Sequence, residues 1–244
     1  MNEKLFWLHI KKTAGTTTRS LLQPYYVEVD RIKKPKNFIQ ATPEEYNDII
    51  NNYRVVLGEY QFKRCLFARK YLYPENWDKL YSFAFSREPI ERCVSMFFYL
   101  FWKDPKRFKG MANNLKQMIN NKKIMLNTSY AFDVFLDYVH EARLSDSIYS
   151  PLGNHFTTHT ATMYDDITDL EGNILIKRVF RVESLVESIN QVFEECRFNK
   201  RIQSEGLRMN KTKNKAIYKP NNNQVKKIQQ IYDKDFEVYE NALY

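Results

Sequence analysis

The stretch Lys11-Lys12-Thr13-Ala14-Gly15-Thr16-Thr17-Thr18 sets two amines, four hydroxyls and a glycine in eight consecutive residues. That chemistry suits an anion: backbone N–H groups at the start of a following helix point at the ligand, hydroxyls add donors, and Lys12 adds charge. Glycine allows close backbone approach, and a chain with only six glycines places Gly15 and Gly58 each just beyond an apolar run. A second cluster begins at Arg87, followed by Glu88-Pro89, with Ser95 eight residues on. Eight residues make about two helical turns, so Arg87 at a strand end and Ser95 in the next helix can converge on one phosphate. The first loop is not a Walker A loop, in which Lys-Ser/Thr follows the second glycine; here Lys12 precedes Gly15.

These residues need elements to hold them. Leu5 to Ile10 reads as a strand, residues 11–15 as an anion loop and Thr16 to Leu22 as a helix. Further strands are expected over Arg54–Leu57, ending at Gly58-Glu59, and over Tyr81–Ser86, ending at Arg87. Pro89 suits a helix first turn, and Ile90, Val94, Phe97, Phe98 and Phe101 recur behind it as one buried face. Phe132, Phe135, Leu136 and Val139 repeat the pattern, as do Val225, Ile228, Tyr232, Phe236 and Tyr239. Ile174–Val182 reads as a strand whose Lys177, Arg178 and Arg181 imply an edge or half-exposed position. Strands alternating with helices predict an α/β fold with a parallel sheet, and the polar segment near 104–128 reads as a lid or insertion.

The chain has 244 residues with 43% hydrophobic content, which fits one domain over 1–244 with a sizeable core. A formal charge of +9 implies an anionic partner without naming it. Three cysteines without CxxC spacing argue against a disulfide framework and a cysteine-rich zinc site, and fit a reducing cytoplasm. The longest apolar run, Met96 to Trp102, is far too short to span a bilayer, and the sequence opens without an apolar leader, so a soluble protein is expected.

His9-Ile10-Lys11-Lys12-Thr13-Ala14-Gly15-Thr16-Thr17 resembles the 5′-phosphosulfate loop of the carbohydrate sulfotransferases, HxPKTGGT[ST]. Phe85-Ser86-Arg87-Glu88-Pro89-Ile90-Glu91-Arg92-Cys93-Val94-Ser95 resembles their 3′-phosphate element, RDPxxRxxS, with aromatic residues following. Gly58-Glu59-Tyr60 stands where relatives often have Gly-His-Phe, and Ile231–Phe236 is similar to their closing helix. Asn210-Lys211-Thr212-Lys213 resembles a basic loop that in relatives lies over the nucleotide. The resemblance implies a P-loop-like three-layer sandwich, a mostly parallel sheet flanked by helices. It implies sulfuryl transfer from 3′-phosphoadenosine-5′-phosphosulfate (PAPS) to a hydroxyl acceptor of the carbohydrate class, with 3′-phosphoadenosine-5′-phosphate (PAP) as product and no metal. Lys11, Lys12, Thr13, Ala14, Gly15, Thr16, Thr17, Arg87, Ser95, Lys211 and Lys213 then hold the donor. Lys11 and Ala14 depart from the family's proline and first glycine, which leaves the tilt of the loop open.

Lys12 is the candidate for stabilising charge on the departing oxygen. Glu59 is the candidate base, in the place of the family's histidine. His155 and His159 compete for that role, in a segment that is not clearly helical and loosely resembles an acceptor-side segment of the heparan sulfotransferases. His9 is expected as a packed core histidine and His140 as structural. Two rival readings remain: a nucleotide phosphotransferase, opposed by the missing Gly-Lys-Ser/Thr, and a non-catalytic polyanion binder. Nucleic acid as a partner is disfavoured because the aromatics fall on core stripes rather than between basic residues.

Overall fold

A computed structural model describes residues 5–22, 62–102, 127–144, 153–203 and 218–243. In chain order these form β1 (Leu5–Leu8), α1 (Gly15–Leu22), α2 (Arg64–Phe67), β2 (Tyr81–Ser86), α3 (Pro89–Phe97), α4 (Thr128–Leu144), α5 (Gly153–Thr160), α6 (Met163–Ile167), β3 (Arg178–Arg181), α7 (Leu185–Glu195), α8 (Asn222–Ile231) and α9 (Asp233–Glu240). The expected strand over Arg54–Leu57 and the expected lid near 104–128 lie outside the described residues, apart from Asn127 and Thr128 at the lid's end.

The strands make a parallel sheet in the order β1-β2-β3, with Leu5 level with Tyr81 and Phe83 level with Arg178. Every residue of β1 and β2 is buried, as expected for parallel strands covered on both faces. Phe6, Leu8 and Ala84 face one way, toward Phe67, Met163, Ile167 and Val238. Leu5, Trp7, Phe83, Phe85 and Phe180 face the other, toward Leu22, Leu185, Ile189 and Phe193. Alternate residues of the same strands thus feed two separate cores, giving a sandwich of helix, sheet and helix in the α/β class. A third core, built on Met96, Phe97, Phe132, Phe135, Phe156 and Ile228, joins α3, α4, α5 and α8.

Three elements differ from the sequence pattern. The strand expected over Ile174–Val182 pairs with β2 only at Arg178–Arg181, while Ile174 makes an antiparallel bridge to Thr168. The intervening turn is held by the Asp169 carboxylate, which accepts from the N–H groups of Glu171 and Asn173. The stripe over Val225–Tyr239 belongs to two helices, broken at Tyr232. In α3 the deepest face runs through Pro89, Arg92, Cys93, Met96 and Phe97, and the expected Ile90, Val94 and Phe98 flank it half-buried. The rotation places an arginine in the interior. Burial pushes the Cys65 and Cys93 thiols well above the usual range, which keeps both neutral packing groups.

Candidate functional site

β1, β2 and β3 run parallel, so the loop after β1, Arg87 after β2 and the residues after β3 all leave the same edge of the sheet. Ligands of open α/β sheets bind beyond the carboxyl ends of the strands, which is this edge. Pro89 opens α3, and the Glu88 carboxylate caps it by accepting from Ile90 and Glu91 N–H. Arg87, pinned just ahead of that cap, pairs with Glu91 at 3.1 Å in partly exposed surroundings. Ser95 lies farther along α3, half-buried.

The loop from His9 to Ala14 is anchored from beneath. Arg92, 1% exposed, donates from Nε to the Lys11 carbonyl at 3.1 Å and from Nη2 to the Ala161 carbonyl at 2.7 Å, and pairs through Nη1 with Asp235 at 2.9 Å. Arg64, also buried, donates to the His9 carbonyl at 3.1 Å and pairs with Asp166 through two bonds, one of 2.6 Å from Nε. Two guanidiniums, each balanced by a buried carboxylate, therefore turn two carbonyls of the loop inward. In a trans peptide the N–H points opposite to its C=O, so holding the Lys11 carbonyl inward aims the Lys12 N–H outward. Thr13 Oγ1 closes the turn by donating to the Ile10 carbonyl at 2.8 Å.

The backbone pays for this shape at residues that are not glycine. Lys12 has φ 69° and Ala14 φ 58°, both left-handed. Gly15 serves a different need: a Cβ there would fall 1.6 Å from His9 Nε2. His9, half-buried, stacks on Trp7 with ring centroids 5.2 Å apart, consistent with a packed histidine. Opposite outcomes follow at adjacent positions. Ala14→Gly is expected to raise stability by up to about 1 kcal/mol by removing the left-handed penalty. Gly15→Ala is expected to lower it by about 1–3 kcal/mol by displacing His9. Urea midpoints of the two variants check both signs.

Beyond the loop, α1 takes its first bonds from Thr17 and Thr18 N–H to the Ala14 carbonyl at 2.9 and 3.1 Å, so the Gly15 and Thr16 N–H groups lie ahead of the helical ladder. Thr16 is exposed, Thr17 half-buried, and Thr18 is turned back onto the Ala14 carbonyl. The Lys12 ammonium sits 4.1 Å from the centroid of the Tyr99 ring, and Tyr99 stacks on His159 at 4.9 Å. Lys11 is buried, with 2% of its surface exposed.

A family model described as the sulfotransferase family matches residues 1–242. The chain belongs to the sulfotransferase family. No curated protein and no solved structure matches it.

In this member of the sulfotransferase family the loop after β1 and Arg87 after β2 leave one sheet edge, and Ser95 lies about two turns into α3. His155 and His159 lie in α5, a regular helix over a stretch whose sequence is not clearly helical, and His159 is buried against Tyr99. Glu59, Lys211 and Lys213 fall outside the described residues, as does the side chain of His155. Among the described residues no cluster of His, Cys, Asp and Glu is arranged to hold a metal, and no helix is long and apolar enough to cross a membrane.

Sequence reasoning passes over Arg92, Arg64, Asp166 and Asp235 as site residues, although Arg92 is the second arginine of the RDPxxRxxS-like element. Asp235 sits within the segment similar to the family's closing helix, and its role is now physical: it neutralises Arg92 and also accepts the Tyr164 N–H at 3.0 Å. Burial raises the Asp235 carboxyl to about 6, against the pull of the Arg92 charge and of its backbone donors.

Proposed function

We propose that this sulfotransferase moves a sulfuryl group from PAPS to a hydroxyl of a carbohydrate acceptor by in-line displacement. The observation that carries the reading is the loop at residues 9–15, whose His9 and Lys11 carbonyls are clamped inward by Arg64 and Arg92 at 3.1 Å each. A loop held this way turns the Lys12 N–H outward, and Lys12 and the Thr16 hydroxyl beyond it add the charge and donor that a phosphosulfate needs. The acceptor oxygen forms a bond to sulfur as the bond from sulfur to the phosphate oxygen breaks, so PAP leaves with the bonding pair. The hydroxyl proton passes to a base, with Glu59 the first candidate and His155 the second. Lys12 offsets the negative charge that gathers on the departing oxygen, an interaction strongest in the transition state.

Lys11, Thr13, Ala14, Gly15, Thr16 and Thr17 share the 5′ side of the donor in this reading, Arg87 and Ser95 the 3′-phosphate, and Lys211 and Lys213 the nucleotide from above. Arg87 exchanges its exposed partner Glu91 for the phosphate, a small loss because exposed i,i+4 pairs contribute only about 0.3–0.5 kcal/mol. Residues 1–244 act as one domain, the net charge of +9 suits an acidic glycan, and three free thiols fit the cytoplasm.

Calorimetric titration with PAP, with Arg87→Ala and with ATP as competitor, tests the donor site. Micromolar binding that needs the 3′-phosphate and weakens about 10-fold or more in Arg87→Ala is the expected result, in line with loss of a charge-assisted contact. Preference for ATP with magnesium would replace the sulfotransfer reading with phosphoryl transfer, and polyanion binding without PAP binding would replace it with a binding protein.

A further inference from the structure

The segment that follows α3 makes a π-type turn over Phe98–Trp102, and Tyr99 lies at its start, half-buried. Its ring meets two groups of different origin. The Lys12 ammonium lies 4.1 Å from the ring centroid, and the His159 imidazole stacks at 4.9 Å with an interplanar angle of 23°. His159 itself is 4% exposed within α5, so the ring is backed by a side chain with little room to move. At the other end, Lys12 departs from a backbone held at φ 69° by the Arg92 clamp on the preceding carbonyl. A lysine has four side-chain torsions and an ammonium that hydrates readily, so a fixed backbone alone does not fix its head. An aromatic face near the ammonium supplies a restraint on it, because the ring quadrupole attracts a cation most strongly where water is thinned out.

We propose that Tyr99 is a positioning residue for Lys12: its ring, braced by His159, holds the ammonium at the mouth of the anion loop. The inference rests on the sulfotransfer reading for its catalytic consequence, but the contact itself is independent of that reading. The ring acts through its face and not through its hydroxyl. Position 99 is therefore tolerant of any unsubstituted aromatic of similar size, and sensitive to loss of electron density at constant shape.

The test replaces Tyr99 with phenylalanine and then with increasingly fluorinated phenylalanines, which keep the ring's shape while weakening its quadrupole. Tyr99→Leu serves as the endpoint, with thermal unfolding to confirm that each protein is folded. Two readouts are taken. In ¹³C-lysine-labelled protein the Lys12 side-chain resonance, assigned by its loss in Lys12→Arg, is expected to show an upfield ring-current shift. That shift persists in Tyr99→Phe and shrinks along the fluorinated series. Turnover with PAPS is expected to stay near wild type in Tyr99→Phe and to fall about 3- to 30-fold across the series, while PAP affinity changes little. If the Lys12 resonance and kcat are flat across the series, or if Tyr99→Phe loses as much as Tyr99→Leu, Tyr99 does not position Lys12 through its ring. Should the protein transfer no sulfuryl group to any acceptor, the function proposed above fails, while the shrinking Lys12 shift still upholds the contact.

Discussion

Lys12→Ala is expected to lower kcat for sulfuryl transfer by about 10²–10³-fold, the range seen when one donor aimed at developing charge is removed. PAP affinity is expected to change by only a few fold. In the proposed transfer the ammonium acts mostly on charge that appears as the bridging oxygen leaves, and PAP carries that charge only as an ordinary phosphate. The backbone argues that the variant folds. Lys12 has φ 69°, and alanine bears the same left-handed penalty as lysine, so the substitution adds no new strain. The side chain is half-buried and its ring contact is of the kind that contributes about 0.5–1 kcal/mol at partly exposed sites. Single-turnover kinetics together with PAP calorimetry and a melting curve decide the matter. A folded Lys12→Ala protein with wild-type turnover removes Lys12 from the chemistry.

Arg92→Leu is expected to destabilise the fold by about 3–5 kcal/mol, because it strands the buried Asp235 carboxylate and leaves the Lys11 and Ala161 carbonyls without their donor. Adding Asp235→Leu removes the stranded charge, so the double variant recovers a substantial part of the loss. It does not recover PAP binding, because nothing then holds the Lys11 carbonyl inward. Urea melts and PAP calorimetry on the two single variants and the double separate the two effects. A double variant that binds PAP like wild type would show that Arg92 serves stability alone. The same melts carry a pH signature. With Asp235 raised to about 6 in the fold and near 4 when unfolded, the folded state keeps a proton that the unfolded state has released between those values. This group's contribution to stability therefore falls as pH rises from about 4 to about 6 and is level above that, and Asp235→Asn removes the slope.

The sheet was largely legible because its strands announce their ends. Tyr81–Ser86 is an apolar run closed by Arg87-Glu88-Pro89, and the strand occupies that span. The strand expected over Leu5–Ile10 ends two residues earlier, at Leu8, and the helix expected from Thr16 begins at Gly15, since the polar loop between them breaks the apolar pattern. Ile174–Val182 read too long because propensity does not see Asp169 gathering N–H groups in a turn that draws Ile174 to Thr168. In α3 the aromatic stripe pulled the expected buried face toward Ile90 and Val94. Arginine is seldom a core residue, so Arg92 carries no local mark of burial. Its counter-ion lies 143 residues away, and that of Arg64 102 residues away. The left-handed residues were hidden for a similar reason: Lys12 and Ala14 adopt φ values that sequence signals assign to glycine, under constraint from groups remote in the chain.

Those separations bear on how the protein comes to life during synthesis. The loop is made well before the carboxylate that balances its Arg92 clamp, which stands at position 235. Until α9 emerges and docks, Arg92 has no buried counter-charge and the Lys11 carbonyl no steady donor, so β1 can pair with β2 long before the loop acquires its shape. Long-range closure of this kind is slow compared with local helix formation. A nascent chain stalled short of Asp235 would hold Arg92 without the carboxylate that balances it. The final shape of the loop is then set by a segment made 143 residues after the arginine that clamps it.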